Sequence, residues 1–518
     1  MFREAFINRL LYLLNLFAAS VIFLFFCYDY FLIIICWECI GLFSFLLVNF
    51  YSTRIYTIKA ALKTFVFSRI SDMFMFFSFI FIILMFNTTD LSIIFLQIPF
   101  FSFHYFFIGE NFSIHFLTIL AFTISTSGII KAAQFFFHVW LPDAMEAPTP
   151  ASALIHSSTL VIAGIFLIIR FSILFEFALS VNYYLALLGS ITLSFSAISA
   201  IFQTDIKKLV AYSTISQIGY LVCGCGFGCY EETLIYLIIH ALNKAFLFIL
   251  VGYLVHFFNH NTDMRQMGGI YTYSFDITIY LLTISLNLAG TPYSAGFLAK
   301  EFLLFQFFKD DFLIFFIRAC WMVSFFFTPI YMFMLIFLSI FGPKKGNLSS
   351  FLNLWVIRTF FQNSLIINSS NVNKKKNTTS YLFFNYQFTL ITSRTTIYIL
   401  FFFWIFFSFC GEYLFMFLFN FSSLNQVIVN SSFFYIQNHV HFNLNIISNF
   451  LEQILFFYIV FFFFASLIFL LNLTTNINYF YFKNFFFLDK IIILLIFYNF
   501  FFPLFYFTLL YFIYKLYK

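Results

Sequence analysis

Long apolar runs alternate with short polar connections along most of this chain. A helix needs about 20 residues to cross a bilayer. About twelve runs meet that length: 10–28, 30–50, 64–86, 113–136, 152–174, 182–203, 206–227, 231–256, 276–306, 312–341, 396–419 and 453–473. They are too long for barrel strands, and backbone groups in lipid must be paired within their own segment, so the runs predict helices. The expected fold class is an all-α polytopic membrane protein with about 12 transmembrane helices. A further run at 490–515 is apolar all round, so its pattern does not separate a span from a helix lying along the membrane surface.

Composition strengthens this reading. The 518 residues are 63% hydrophobic and only 9% charged, against about 25% charged in a soluble domain. Phe alone supplies 95 residues. No site needs that many, and the bias fits an AT-rich organelle genome of protist type. The net charge of +6 comes from scattered basic residues rather than one patch, which argues against nucleic acid. No cleavable signal pattern precedes the first span. Alternating the spans places Arg54, Lys59, Lys63, Lys207, Lys208, Arg265 and the lysines at 344–345 and 374–376 on one side. That bias marks the matrix side, the equivalent of bacterial cytoplasm. The polar stretch 342–395 then reads as a matrix loop. Cys36 and Cys39 form a C-x-x-C, and Cys223, Cys225 and Cys229 crowd one span end. They are read as small apolar helix residues, with no metal site and no disulfide framework.

Ionisable residues inside the spans change the picture from membrane protein to ion handling. An ionisable side chain at mid-bilayer costs at least ~2.5–3.5 kcal/mol and is a functional candidate by default. Glu38, Arg69, Asp72, Lys131, His156, His240, Lys244, Lys300 and Glu301 all fall within predicted spans. His240 and Lys244 lie one turn apart on one helix face. A lone His is most often a satisfied buried group, and Arg69 with Asp72 could be only a local ion pair. Four separate charges, Glu38, Lys131, Lys244 and Lys300, are harder to explain without a task. Lysine whose proton affinity depends on a movable carboxylate, with histidine between lysines, suits a proton relay. Two of these spans are interrupted. Pro142, Pro148 and Pro150 follow Lys131, and Gly290, Pro292 and Gly296 precede Lys300. A lysine on a broken helix in each half predicts inverted repeats with ion sites near the midplane, as in a secondary transporter or an ion-translocating subunit.

Several stretches resemble the subunit 5 family of respiratory NADH dehydrogenase, complex I. They are WECIGLFSFLLV (37–48), KAAQFFFHVWLPDAMEAPTPASALIHSSTLVIAGIFLIIR (131–170), QTDIKKLVAYSTISQIGY (203–220), HALNKAFLFILVG (240–252), DMRQMGG (263–269) and GTPYSAGFLAKE (290–301). Together they cover roughly residues 5–340 in the family's order. The resemblance implies a proton-translocating subunit of the mitochondrial inner membrane. Glu38 and Lys131 would form its gating pair, beside Asp72 and Arg69. His156, Lys208, His240 and Lys244 would continue a central axis, and Lys300 with Glu301 would face the exit. It implies no cofactor on this chain: NADH, FMN, Fe–S clusters and ubiquinone would be bound by other subunits, with cardiolipin a generic contact of the matrix-side basic residues. The implied partners are other complex I membrane subunits, especially the adjacent antiporter-like subunit 4, and the lipid membrane.

The chain departs from the family pattern at several points. Tyr236 stands where a second His is usual, Cys39 follows Trp37-Glu38 where Gly is usual, Ser71 precedes Asp72 in place of Gly, and Glu301 replaces Asp. About three amino-terminal helices of the family have no counterpart, which predicts that they are lost or supplied by a separate chain. Phe486–Tyr498 resembles the start of the family's lateral helix. The expected organisation is therefore 1–112, first helices with Glu38; 113–341, the antiporter-like core; 342–395, loop; 396–475, carboxy-terminal helices; and 476–518, a stub of the lateral helix or a final span. The competing reading is a subunit of a multisubunit sodium/proton antiporter, which shares the fold and the lysines.

Overall fold

The computed structural model describes residues 6–342, except 109–111, 158, 259–260, 271–273, 291–293, 295, 297–299, 301–302 and 304–311, together with Phe401. All of them belong to one compact unit, Met1–His441. Apart from Gly342 and Phe401, the expected loop 342–395, the spans 396–419 and 453–473 and the segment 476–518 lie outside the described residues.

The apolar runs fold as helices. In chain order they are α1 (Ile7–Phe26), α2 (Tyr30–Val48), α3 (Ile55–Phe86), the short α4 (Leu91–Gln97), α5 (Phe116–Lys131), the short α6 (Trp140–Asp143), α7 (Thr149–Ser157), α8 (Leu160–Arg170), the short α9 (Ser172–Glu176), α10 (Leu179–Ile201), α11 (Ile206–Gly226), α12 (Tyr230–Phe257), α13 (Phe275–Ala289) and α14 (Phe312–Ile336). Among the described residues, eight helical segments are long and apolar enough to span a membrane, with α7 and α8 forming one of them. The helices α5 and α13, which carry the interruptions, are shorter.

Two expectations shift. The span expected from 64 begins at Ile55, so α3 has 32 residues, or about 48 Å at 1.5 Å per residue. That exceeds the ~30 Å hydrocarbon core. Lys59 and Lys63 had interrupted the apolar count, but their long stems allow a helix to emerge from lipid with its charges in water. Arg69 and Asp72 consequently sit near the middle of α3, not near its end. The span expected from 113 starts in a hairpin instead: β1 (Tyr105–Ile108) pairs antiparallel with β2 (Phe112–His115), Tyr105 facing His115. Its signal was present in the sequence, two aromatic and β-branched quartets around Gly109-Glu110-Asn111.

The two halves share a local frame. Before α2, Tyr30 N–H donates to Thr89 O at 2.9 Å and Leu91 N–H to Tyr28 O at 3.0 Å, bridging Asp29 to Asp90. Before α11, Ile206 N–H donates to Thr262 O and Met264 N–H to Thr204 O, both at 3.0 Å, bridging Asp205 to Asp263. Each bridge is followed by an interrupted helix, α5 or α13. Tracing the chain helix by helix puts the bridges on opposite sides of the membrane, as an inverted repeat requires. Two contacts fix the sides. Arg170 at the end of α8 donates to Phe25 O at 3.0 Å and to Cys27 O, satisfying carbonyls left open at the end of α1. Lys207 at the start of α11 reaches Ala147 O before α7 at 3.4 Å.

Lipid tails are as apolar as Leu, so membrane helices hold together by close packing, which favours small residues at crossings. A Cβ added to Gly164 on α8 would lie 2.4 Å from Gly128 O on α5, and one on Gly189 of α10 would lie 2.6 Å from Cys223 N on α11. Gly164→Val is therefore expected to push α8 off α5. The cost should be about 1–3 kcal/mol or more, typical of overpacking. It should appear as a lower unfolding temperature of the detergent-solubilised protein. Unchanged thermal stability would rule out this crossing as a packing constraint.

Candidate functional site

The first cluster forms where α2, α3 and α5 meet. Lys131 is the last residue of α5 and is only 2% exposed. Its Nζ donates to Trp37 O at 2.6 Å, lies 3.5 Å from Asp72 Oδ1, and sits 3.9 Å from the centroid of the Trp37 ring. Arg69, one turn earlier on α3, brings its guanidinium 3.5 Å from Asp72 Oδ2. Trp37 is held in turn: its Nε1–H donates to Ser71 Oγ at 3.1 Å, and Ser71 Oγ–H donates to Ser127 O at 2.9 Å. The buried ammonium thus has a carboxylate, a carbonyl and an aromatic face around it, the compensation a charge needs away from water. Beside it is a cavity of about 10 Å³ lined by Ser44, Thr64, Ser68, Lys131 and Trp140, close to the space one water occupies.

The second cluster spans α11, α12 and the break after α13. Lys244 and Lys300 are 0% and 1% exposed. Lys244 Nζ donates to Ser213 Oγ at 2.6 Å, and Lys300 Nζ to Leu288 O at 2.8 Å. The acceptor for Lys300 follows from the sequence. In a continuous helix Leu288 O would accept from residue 292, but that residue is Pro and has no N–H. The interruption frees a carbonyl, and the lysine takes it. His240, one turn before Lys244, is buried, and neither ring nitrogen has a hydrogen-bond partner among the described residues. The same holds for His156 on α7, whose ring lies between Trp140 and Phe248 with centroids 6.2 Å from each.

Not every predicted residue lands as expected. Lys131 makes its ion pair with Asp72, while Glu38, half-buried on α2, makes no hydrogen bond or ion pair among the described residues. Neighbouring positions on a helix point about 100° apart, and it is Trp37 that faces Lys131. Lys208 is half-exposed and pairs with Asp205 at 3.5 Å; its neighbour Lys207 turns inward to Met145 O and Ala147 O. Tyr236 does not address His240: its hydroxyl donates to Gln217 Oε1, whose Nε2–H donates to Tyr331 OH at 3.4 Å. Glu301 lies outside the described residues. Sequence reasoning missed Trp37, Lys207, Gln217, Asn243 and Asn287, although an amide in an apolar helix is itself a signal because burying it unpaired is costly. Outside the spans, the guanidinium of Arg265 hydrogen-bonds Asp263 and holds its carboxyl below the usual range.

Two buried lysines at helix interruptions, with a third lysine and two histidines buried on other helices, mark a polytopic membrane protein of antiporter-like fold. The chain belongs to the NADH:quinone oxidoreductase/Mrp antiporter membrane family, whose sequence profile matches residues 27–328. Among its relatives, NADH-ubiquinone oxidoreductase chain 5 of Nyctotherus ovalis is 44% identical over 356 residues, covering 68% of this chain and 19% of that protein. Chain 5 of Chondrus crispus is 39% identical over 309 residues, covering 58% of this chain and 46% of the relative. Chain 5 of Paramecium tetraurelia is 38% identical over 351 residues, covering 67% and 60% respectively. The chain therefore matches less than two thirds of each relative's length. A solved Mrp complex from Dietzia sp. aligns with a TM-score of 0.57 at 30% identity, covering 64% of this chain and 36% of that one.

The Lys131–Asp72 pair gives a clean test. Removing one partner of a buried ion pair leaves an uncompensated charge and costs about 3–5 kcal/mol, whereas replacing both by apolar groups is often neutral. Asp72→Leu should destabilise the protein strongly, and Lys131→Met with Asp72→Leu should recover most of the loss in thermal unfolding. A double variant no more stable than Asp72→Leu alone would show that the pair is not the interaction that matters.

Proposed function

We propose that this chain is a proton-translocating membrane subunit of a respiratory NADH:quinone oxidoreductase of the mitochondrial inner membrane, the counterpart of chain 5. The observation that carries the reading is the set of fully buried lysines, Lys131, Lys244 and Lys300, each with a different partner and two of them at helix interruptions. Such groups exchange protons when their surroundings move, and a rigid structural role does not call for them. Lys131 would hold a proton against Asp72. Movement of α2 or α3 would change that hold, with the half-buried Glu38 as a second carboxylate on the moving helix. His156 and His240 would pass the proton between the lysines. Lys300 would deliver it, with Glu301 beside it in sequence.

NADH, FMN, Fe–S clusters and ubiquinone would be handled by partner subunits, among them a neighbouring antiporter-like subunit of the subunit 4 kind, with cardiolipin against the basic membrane face. The sodium/proton antiporter reading shares this machinery and is favoured by the Mrp complex as structural neighbour. The relatives named chain 5 at up to 44% identity favour the respiratory reading.

Native separation of gently solubilised source membranes discriminates the two. The chain should migrate in an assembly with NADH dehydrogenase activity. Migration in an assembly lacking flavin and Fe–S subunits would move the assignment to the antiporter. Within the respiratory assembly, Lys131→Ala and Glu38→Ala should each lower proton translocation and slow NADH oxidation while assembly persists. Full translocation in both variants would remove the gating role.

A further inference from the structure

One polar contact in the second half lies outside the lysine–histidine series. Asn287, near the end of α13, uses both ends of its amide. Its Oδ1 accepts the backbone N–H of Gly296, beyond the helix interruption, at 2.8 Å, and its Nδ2 donates to Asn243 Oδ1 on α12 at 3.0 Å. The direction of this chain is fixed by its end. A backbone N–H can only donate, so Asn287 must present oxygen to Gly296 and nitrogen to Asn243, and Asn243 must present oxygen. Both asparagines are buried.

The position of the bridge gives it meaning. Asn243 immediately precedes Lys244, and Asn287 immediately precedes Leu288, whose carbonyl holds Lys300. The bridge therefore joins the backbone beside one buried lysine to the backbone that holds the other. The segment after the break is pressed against the same residue: a Cβ on Gly296 would lie 2.1 Å from Asn287 O. The first half uses a comparable device at its own break. Gln134, three residues after Lys131, accepts from Thr192 Oγ1 at 2.7 Å and donates to Ala132 O at 3.1 Å. A side-chain amide clamps the backbone at both interruptions. Leu has the branched shape of Asn without an amide to desolvate, so packing alone does not account for two paired asparagines here.

We infer that Asn243 and Asn287 are positioning residues for proton transfer in the second half. Their amide bridge fixes the broken helix so that Lys300 stays on Leu288 O in register with Lys244. This rests on the proton-translocation reading. Without the bridge, the segment carrying Lys300 is no longer tied to α12, and transfer between the two lysines loses its fixed distance. Lys300 itself keeps its side chain and its titratable group.

The test uses the assembled complex reconstituted in vesicles. Protons moved per NADH oxidised are measured for Asn243→Leu, Asn287→Leu, the double variant, and Lys300→Ala as reference, together with the amount of complex assembled. Each single variant should lower the ratio toward that of Lys300→Ala. The double variant should be no worse than the worse single, because both act through one hydrogen bond. Additive losses, or fewer assembled complexes at an unchanged ratio, would overturn the bridge as a positioning device. If the Leu variants do not assemble, Asn243→Ser, which keeps an acceptor, should retain a higher ratio than Asn243→Ala, and equal ratios overturn the proposal. An unchanged ratio in the Asn variants beside a lowered one in Lys300→Ala would defeat the bridge alone. An unchanged ratio in Lys300→Ala would defeat the proton reading of this half, and the bridge with it.

Discussion

An ammonium group in a bilayer must be given oxygen, or it will not stay charged. Much of this architecture follows from supplying it. A continuous apolar helix has few acceptors to offer, because its carbonyls are already bonded within the helix. The chain meets the need in three ways. It places a carboxylate on a neighbouring helix, Asp72 for Lys131. It lends a hydroxyl, Ser213 for Lys244. It ends a helix at left-handed Gly290 so that Leu288 O is left open for Lys300. Glycines at the helix crossings then let the elements approach closely enough for these reaches to be short.

The two halves share a backbone frame but differ in electrostatics. The bridges at Asp29–Asp90 and Asp205–Asp263 set equivalent helices in equivalent places. Within that frame the first half compensates its lysine with opposite charge. In the second half, Lys244 and Lys300 are both buried, with buried His240 one turn before Lys244. Among the described residues the acceptors there are neutral. The two halves thus share a fold while differing in the partners they give their buried lysines.

The helices were legible because the bilayer imposes a length, and a run of some 20 apolar residues has little else to become. The spans 182–203, 206–227 and 231–256 each match an observed helix to within three residues at either end. The reading failed where length was not the deciding quantity. The hairpin pairs two four-residue strands, far shorter than any span, and the early start of α3 comes from lysine stems that carry charge out of lipid. For the site, sequence placed the described ionisable groups on helices, but it set Arg69 and Asp72 nearer an end of their helix than they lie. It did not give Lys131 its ion pair with Asp72 rather than Glu38, since the choice depends on the rotation of α2 and α3 about their axes. That rotation is fixed by packing between helices distant in sequence, such as the Trp37–Ser71–Ser127 chain. The asparagines could be suspected as amides in apolar helices, but their pairing could not be read until the fold brings one to the other.

The placement of Lys131 over Trp37 has an optical consequence. Light absorbed by an indole moves electron density across the ring, so a positive charge fixed on one face shifts the energy of that transition. Here the ammonium lies 3.9 Å from the ring centroid. The chain contains five tryptophans, and this one carries a titratable cation against its face. Gain, loss or displacement of that single charge is thereby written into the colour of Trp37's emission. The protein holds an intrinsic electrochromic label at the centre of its first half, one that needs no added probe.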